Sequence, residues 1–263
     1  MIKMLKGFLI NLQFFTSIPV PLEIPMDKDY LKKSVQSFPL LGLFQGGIYT
    51  ILIYICLEWT PFSQLAIALL IWLATILLTG GIHLDGWMDA SDAFFSYRDS
   101  EKRLEIMKDP RTGAFGVLSV IILLTCRFIF IYEIAKNIQL LSYILIMAIP
   151  FLSKSVMGAL LLTVKSARKE GLGSLFQSAA TPKTLWVYPV YIASYLLAVM
   201  VWAQSIQLLS ILIIVALGCF FFSRYKSEKW FGGITGDVLG AAVEGTELLL
   251  WMTVWLLHYF AME

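Results

Sequence analysis

The chain has 263 residues, 59% of them hydrophobic and 14% charged, with a net charge of +2 and a mean hydropathy of +0.78. Soluble domains run near 45–50% apolar and about 25% charged, so the composition excludes a water-soluble globule and indicates a polytopic membrane protein. Disorder, a coiled coil and a secreted disulfide scaffold are excluded with it, and so small a net charge argues against nucleic acid as a partner.

The first 17 residues read as a helix, but Lys3, Lys6, Asn11 and Gln13 interrupt its apolar character, and Pro19, Pro21 and Pro25 end it. No small-residue cleavage site follows, so an interfacial helix lying on the membrane surface is expected rather than a removed signal peptide. A membrane span needs roughly 20 mostly apolar residues, and about seven such runs follow, near 38–57, 61–80, 114–135, 139–163, 185–202, 206–222 and 237–260. Gly42, Gly46 and Gly47 in the first permit close helix packing. The expected fold is all-α: a polytopic membrane helical bundle of about seven transmembrane helices plus the N-terminal interfacial helix. Residues 1–263 are then expected to form a single membrane-embedded domain.

Seventeen of the twenty Lys and Arg residues fall in the N-terminal segment and in the segments 81–113, 164–184 and 223–236. These segments alternate with short connections that hold Lys136 alone. By the positive-inside rule the basic side is the cytoplasm. The same loops carry most of the Gly, Asp and Arg, which puts the working face there too. The expected location is a membrane crossed several times, with the working face on the cytoplasmic side. Cys56, Cys126 and Cys219 each lie in an apolar run without CxxC spacing, and the only histidines are His83 and His258. A zinc site built from His and Cys is therefore not expected.

Asp85, Asp89 and Asp92 are spaced i, i+4, i+7, which puts three carboxylates within an arc of roughly 60° on one helical face. Beside a membrane core such repulsion calls for cations, and the natural choice is Mg²⁺ or Mn²⁺, hard ions that favour carboxylate oxygen and bridge phosphates. His83 falls on the opposite face from Asp85. Downstream, Lys108 and Arg111 flank Pro110 and precede Gly113 at the entry to the third expected span, a plausible phosphate cradle. Arg168 is a further candidate for contact with an anionic substrate. Gly232, Gly233 and Gly236 allow backbone amides to approach a ligand closely. Asp237, Glu244 and Glu247 then follow at i, i+7, i+10 on one face of an apolar helix. Ionisable groups at membrane depth are usually functional, so Asp237 and Glu244 are candidates for a general base or metal ligands. Glu247 reads as a structural partner, with Arg127 and Lys154 as counter-charges. No P-loop or complete dinucleotide motif occurs.

Three segments together resemble the cobalamin-5′-phosphate synthase family, the adenosylcobinamide-GDP ribazoletransferases. They are Gly80-Gly81-x-His83-Leu84-Asp85-Gly86-x-x-Asp89-x-x-Asp92, Glu105-Ile106-Met107-Lys108-Asp109-x-Arg111-x-Gly113-Ala114-Phe115-Gly116 and Gly232-Gly233-x-Thr235-Gly236-Asp237-x-x-Gly240-Ala241. The chain departs from that pattern at Lys154, where an arginine is expected. The resemblance implies a Mg²⁺-dependent enzyme, embedded in the cytoplasmic (inner) membrane of a bacterium or archaeon, that joins α-ribazole or its 5′-phosphate to adenosylcobinamide-GDP and releases GMP. It assigns metal binding to Asp85, Asp89 and Asp92, phosphate contacts to Lys108, Arg111 and Arg168, and deprotonation of the ribazole 5′-hydroxyl to Asp237 ahead of Glu244. A homo-oligomer or association with other cobalamin-assembly enzymes stays open. Two other readings are a phospholipid-making alcohol phosphotransferase and a cation-coupled transporter. The first lacks its Asp-Gly-x-x-Ala-Arg core here, because Met88-Asp89 stands in place of Ala-Arg. The second lacks an internal repeat.

Overall fold

The computed structural model describes residues 2–203 and 206–262. In chain order the helices are α1 (Ile2–Phe15), α2 (Lys28–Gln36), α3 (Phe38–Trp59), α4 (Gln64–Leu77), α5 (Ile82–Phe95), α6 (Ser100–Ile106), α7 (Ala114–Lys136), α8 (Leu140–Thr163), α9 (Leu172–Ser178), α10 (Val187–Ala203), α11 (Ile206–Phe231) and α12 (Gly236–Phe260). A 3₁₀ turn over Pro182–Trp186 leads into α10. There is no strand among the described residues, as expected for an all-α chain; one isolated bridge joins Ser166 to Ile234.

Helix α8 forms the axis of the bundle, with buried residues on every face from Ser142 to Leu162. A helix apolar all round is one enclosed by neighbours. Glycine sets how close α3 comes: a Cβ on Gly42 would collide with the Pro150 carbonyl, and one on Gly46 with the backbone of Met147. Gly47 faces open space, so only the first two of the expected packing glycines act. Residues such as Ile121, Ile122, Leu197, Ile214 and Phe221 are exposed on α7, α10 and α11; these are the surfaces left for lipid.

Among the described residues six helices are long and apolar enough to cross a membrane, and the bent pair α4–α5 makes seven if counted as one span. That pair corrects the expectation of a continuous span over 61–80. Gly80 and Gly81 both have positive φ, 62° and 76°, and two successive left-handed residues cannot continue a right-handed helix. The 14 residues of α4 reach about 21 Å, short of the roughly 30 Å hydrocarbon core. Beyond the break α5 turns away by 79°. With α4 along the bundle, α5 therefore lies across its polar end, outside the spans. Helix α11 departs in the opposite sense. It runs on to Phe231, beyond the expected end at residue 222, carrying Arg224, Lys226 and Lys229 on extra turns, with the Lys226 ammonium 4.5 Å from the centre of the Trp230 ring. Hydropathy marks where the apolar run ends, not where the helix does.

The N-terminal helix α1 is present, and Asn11, which interrupts its apolar run, is a fully buried hub. Its amide donates to the Ser34 carbonyl at 3.0 Å and to Ser37 Oγ at 2.9 Å, and it accepts from Ser34 Oγ. In the bundle interior, Arg127 of α7 pairs with Glu244 of α12, and Lys154 of α8 pairs with Glu247 at 3.1 Å. Ser153 Oγ donates to the same Glu247 oxygen at 2.8 Å. The expected counter-charges are thus in place, and Glu247 is a structural partner. Lys154, standing where an arginine was expected, makes a single-point contact. Charges at this depth persist only when paired.

Candidate active site

Helix α5 meets α12 backbone to backbone. A Cβ on Gly86 would lie 2.7 Å from the Asp237 carbonyl oxygen, and one on Gly240 would lie 3.1 Å from that of His83. Glycine at both positions is what brings the acidic face of α5 beside the N-terminus of α12. Asp85 is exposed and Asp89 half-buried, while His83 and Ala90, from the other face, are buried; the face expected from the i, i+4, i+7 spacing is present. Partial burial, then the charges of Asp85, Asp237 and Asp92, push the Asp89 carboxyl up to about 6 against the opposing pull of Arg168. Four carboxylates therefore feel one another at this end of the bundle.

Asp92 has a second engagement. Its Oδ2 accepts from the Gly113 N–H at 2.7 Å and its Oδ1 from the Gly116 N–H at 2.8 Å, capping the first turn of α7. These amides would otherwise lack partners. A Cβ at either glycine would strike the carboxylate, so the Gly113-Ala114-Phe115-Gly116 run reads as a socket for Asp92. Among the described residues the carboxylates left without such an engagement are Asp85 and Asp89, the candidates to hold a hard divalent cation, with Asp92 contributing only its remaining lone pairs. Among the described residues no three His, Cys, Asp or Glu side chains converge on one metal-sized point.

Arg168 reaches the site through a pairing of two loops. The Ile234 N–H donates to the Lys165 carbonyl at 2.9 Å, and the Ala167 N–H to the Ile234 carbonyl at 2.8 Å. Gly232 and Gly233 adopt φ of 72° and 149° to allow it, and a Cβ on Gly233 would collide with the Lys165 carbonyl. These two glycines shape the loop, whereas Gly236 is exposed and free of neighbours. Arg168 is thereby held with Nη1 3.1 Å from Asp237 Oδ2 and Nη2 3.0 Å from the Leu104 carbonyl. Thr235, a motif residue given no role from the sequence, caps α12 by accepting from the Val238 N–H at 3.1 Å, and its hydroxyl donates to the same Asp237 oxygen at 3.3 Å. Asp237 Oδ1 makes no hydrogen bond among the described residues.

The other expected residues lie further off. Lys108 is exposed on the loop before α7. Arg111 is 87% exposed and forks onto Asp109, with Nε 2.9 Å from Oδ1 and Nη2 2.5 Å from Oδ2. That fork holds the Asp109 carboxyl down at about 2. Glu244 is not brought to the site. It is sealed against Arg127, two turns along α12 from Asp237, or about 10 Å. Asp85, Arg168, Gly236 and Asp237 line a common cavity of about 250 Å³ at the polar end. Arg103 also escaped the sequence reading: it ties α6 to the ends of α5 and α11, bonding the Phe94 carbonyl at 3.4 Å and the Trp230 carbonyl at 3.2 Å.

Residues 7–255 match the family model described as cobalamin-5-phosphate synthase. An adenosylcobinamide-GDP ribazoletransferase of Geobacillus sp. (strain WCH70) is 42% identical over 261 residues, covering 98% of each chain. Proteins of the same name from Geobacillus thermodenitrificans (strain NG80-2) and Clostridioides difficile (strain 630) are 41% and 33% identical, over 99% and 97% of this chain and 99% of each relative. No solved structure matches the chain. With the match running through every segment that builds the polar-end cavity, the chain belongs to the cobalamin-5-phosphate synthase family.

Proposed function

We propose that this multi-pass membrane protein joins α-ribazole or its 5′-phosphate to adenosylcobinamide-GDP, releasing GMP and forming adenosylcobalamin or its 5′-phosphate. The observation that carries this is the placement of Asp85, Arg168 and Asp237 around one cavity in a chain whose relatives bear that name along their whole length.

The attacking hydroxyl follows from the products and corrects the expectation made from the sequence. A nucleoside 5′-phosphate that keeps its phosphate in the product cannot react through its 5′ oxygen, so a ring hydroxyl of the ribose is the nucleophile. Its oxygen bonds to the phosphorus that carries the cobinamide, the bond from that phosphorus to the bridging oxygen breaks, and GMP leaves. The proton passes to Asp237 Oδ1, the oxygen left open while Oδ2 is held by Arg168 and Thr235. Arg168 fixes the orientation of that base and adds positive charge beside the diphosphate.

The donor chemistry of Asp85 and Asp89 fits Mg²⁺: all oxygen, no sulfur or imidazole. Among the described residues too few carboxylates converge to form a complete cage, so the ion would keep waters and share its shell with substrate phosphate. Bound there, Mg²⁺ would neutralise charge on the diphosphate and on departing GMP. Lys108, exposed nearby in sequence to the α7 entry, is proposed as a phosphate contact; Arg111 joins it only if its fork on Asp109 opens. The alternation of basic loops supports a cytoplasmic working face in a bacterial inner membrane.

The test is the full chain, purified in detergent, given adenosylcobinamide-GDP and Mg²⁺. GMP should appear only when α-ribazole or its 5′-phosphate is added, in equal amount with the corrinoid product. No product with either nucleoside would overturn the proposal.

A further inference from the structure

The cavity has a mixed lining. Arg168, Asp237 and Asp85 bring charge to it, and Phe15, Phe38 and Phe176 bring an aromatic wall. These three rings pack against one another with centroids 5.5–6.0 Å apart, and Phe15 also stacks on His83 at 5.9 Å with 16° between the planes. His83 lines the cavity, is 4% exposed, and its Nε2 is buried without a hydrogen-bond partner. Buried polar atoms in native proteins are nearly always satisfied, so an unpartnered imidazole nitrogen on a residue that lines a cavity is a point of attachment for a ligand that brings a matching group.

Resting on the reaction proposed above, we propose that this cavity is the nucleoside subsite, with the bicyclic base of α-ribazole against the phenylalanines and His83 Nε2 donating to its unsubstituted ring nitrogen. The ribose then points to Asp237. Size and polarity choose between the substrates. About 250 Å³ lies just below the roughly 300–1,000 Å³ of small-molecule sites and is too small for a corrinoid macrocycle. Guanine presents several donors and acceptors along its edge, whereas the packed group of Phe15, Phe38, Phe176 and His83 carries polar side-chain atoms on His83 alone. A benzimidazole has a flat apolar body and a single acceptor, which this group satisfies.

The experiment is steady-state kinetics of the full chain and its His83→Phe variant, which keeps a ring in the stack and removes the donor. The KM for α-ribazole should rise about tenfold while the KM for adenosylcobinamide-GDP stays within about twofold. A rise confined to adenosylcobinamide-GDP, or no change in either, would overturn the assignment. Should the variant misfold, the wild type with an indole riboside, where carbon replaces the ring nitrogen, should show the same loss; full activity on that analogue overturns the proposal. If wild type gives no turnover, the reaction reading fails by itself. Calorimetry with α-ribazole still reads the cavity: binding about tenfold weaker in His83→Phe supports the subsite, and equal or absent binding to wild type refutes it.

Discussion

Asp89→Asn lowers kcat by about a hundred- to a thousandfold, the loss typical when one preorganised charge is removed from a phosphoryl-transfer site. The fold should survive the change. Asp89 is crowded by Asp85, Asp237 and Asp92, so a neutral isostere removes repulsion, and the melting temperature should hold or rise. Detergent-solubilised protein, followed by GMP release and by thermal unfolding in parallel, checks both halves. Near-normal turnover would take Asp89 out of the chemistry, and a large drop in melting temperature would make it a structural residue.

The second large effect lies in the membrane interior and acts on stability. Arg127→Ala leaves Glu244, 3% exposed, without its guanidinium partner. Breaking a buried pair from one side costs about 3–5 kcal/mol, because the remaining charge stays desolvated. The variant should therefore unfold at a markedly lower temperature or fail to accumulate in the membrane. Replacing both partners with leucine should recover most of that loss, since two apolar side chains leave no orphan charge. Equal instability of the single and double variants would show that the pair does more than neutralise itself.

These two carboxylates show where sequence reasoning succeeds and where it stops. The i, i+4, i+7 spacing of Asp85, Asp89 and Asp92 defines one face of a helix whatever its surroundings, so the acidic face was legible. The engagement of Asp92 with the Gly113 and Gly116 amides was not, because it joins segments 21 and 24 residues apart that only the fold brings together. Glu244 shares a helical face with Asp237, and periodicity alone makes them neighbours in role. Depth separates them: seven residues of rise carry Glu244 out of the polar end and into contact with Arg127. The spans themselves were legible from hydropathy to within a few residues, except at the end of α11, which runs on to Phe231, and at α4. There the apolar run continues to the glycines, but their left-handed backbone breaks the helix and lays α5 across the bundle. Gly86 and Gly240 were visible inside motifs, yet their purpose is a close crossing of two helices that no single-chain pattern encodes.

One measurement bears most directly on the acidic face. GMP release is followed from adenosylcobinamide-GDP carrying sulfur in place of a non-bridging oxygen on the phosphate next to cobinamide, with Mg²⁺ or with Mn²⁺. Mg²⁺ binds sulfur poorly and Mn²⁺ tolerates it better, so the expected result is slow turnover with Mg²⁺ and substantial rescue by Mn²⁺, with none in EDTA. Full turnover in EDTA, or an equal rate with both ions on this analogue, would contradict a cation held by Asp85 and Asp89 against the diphosphate.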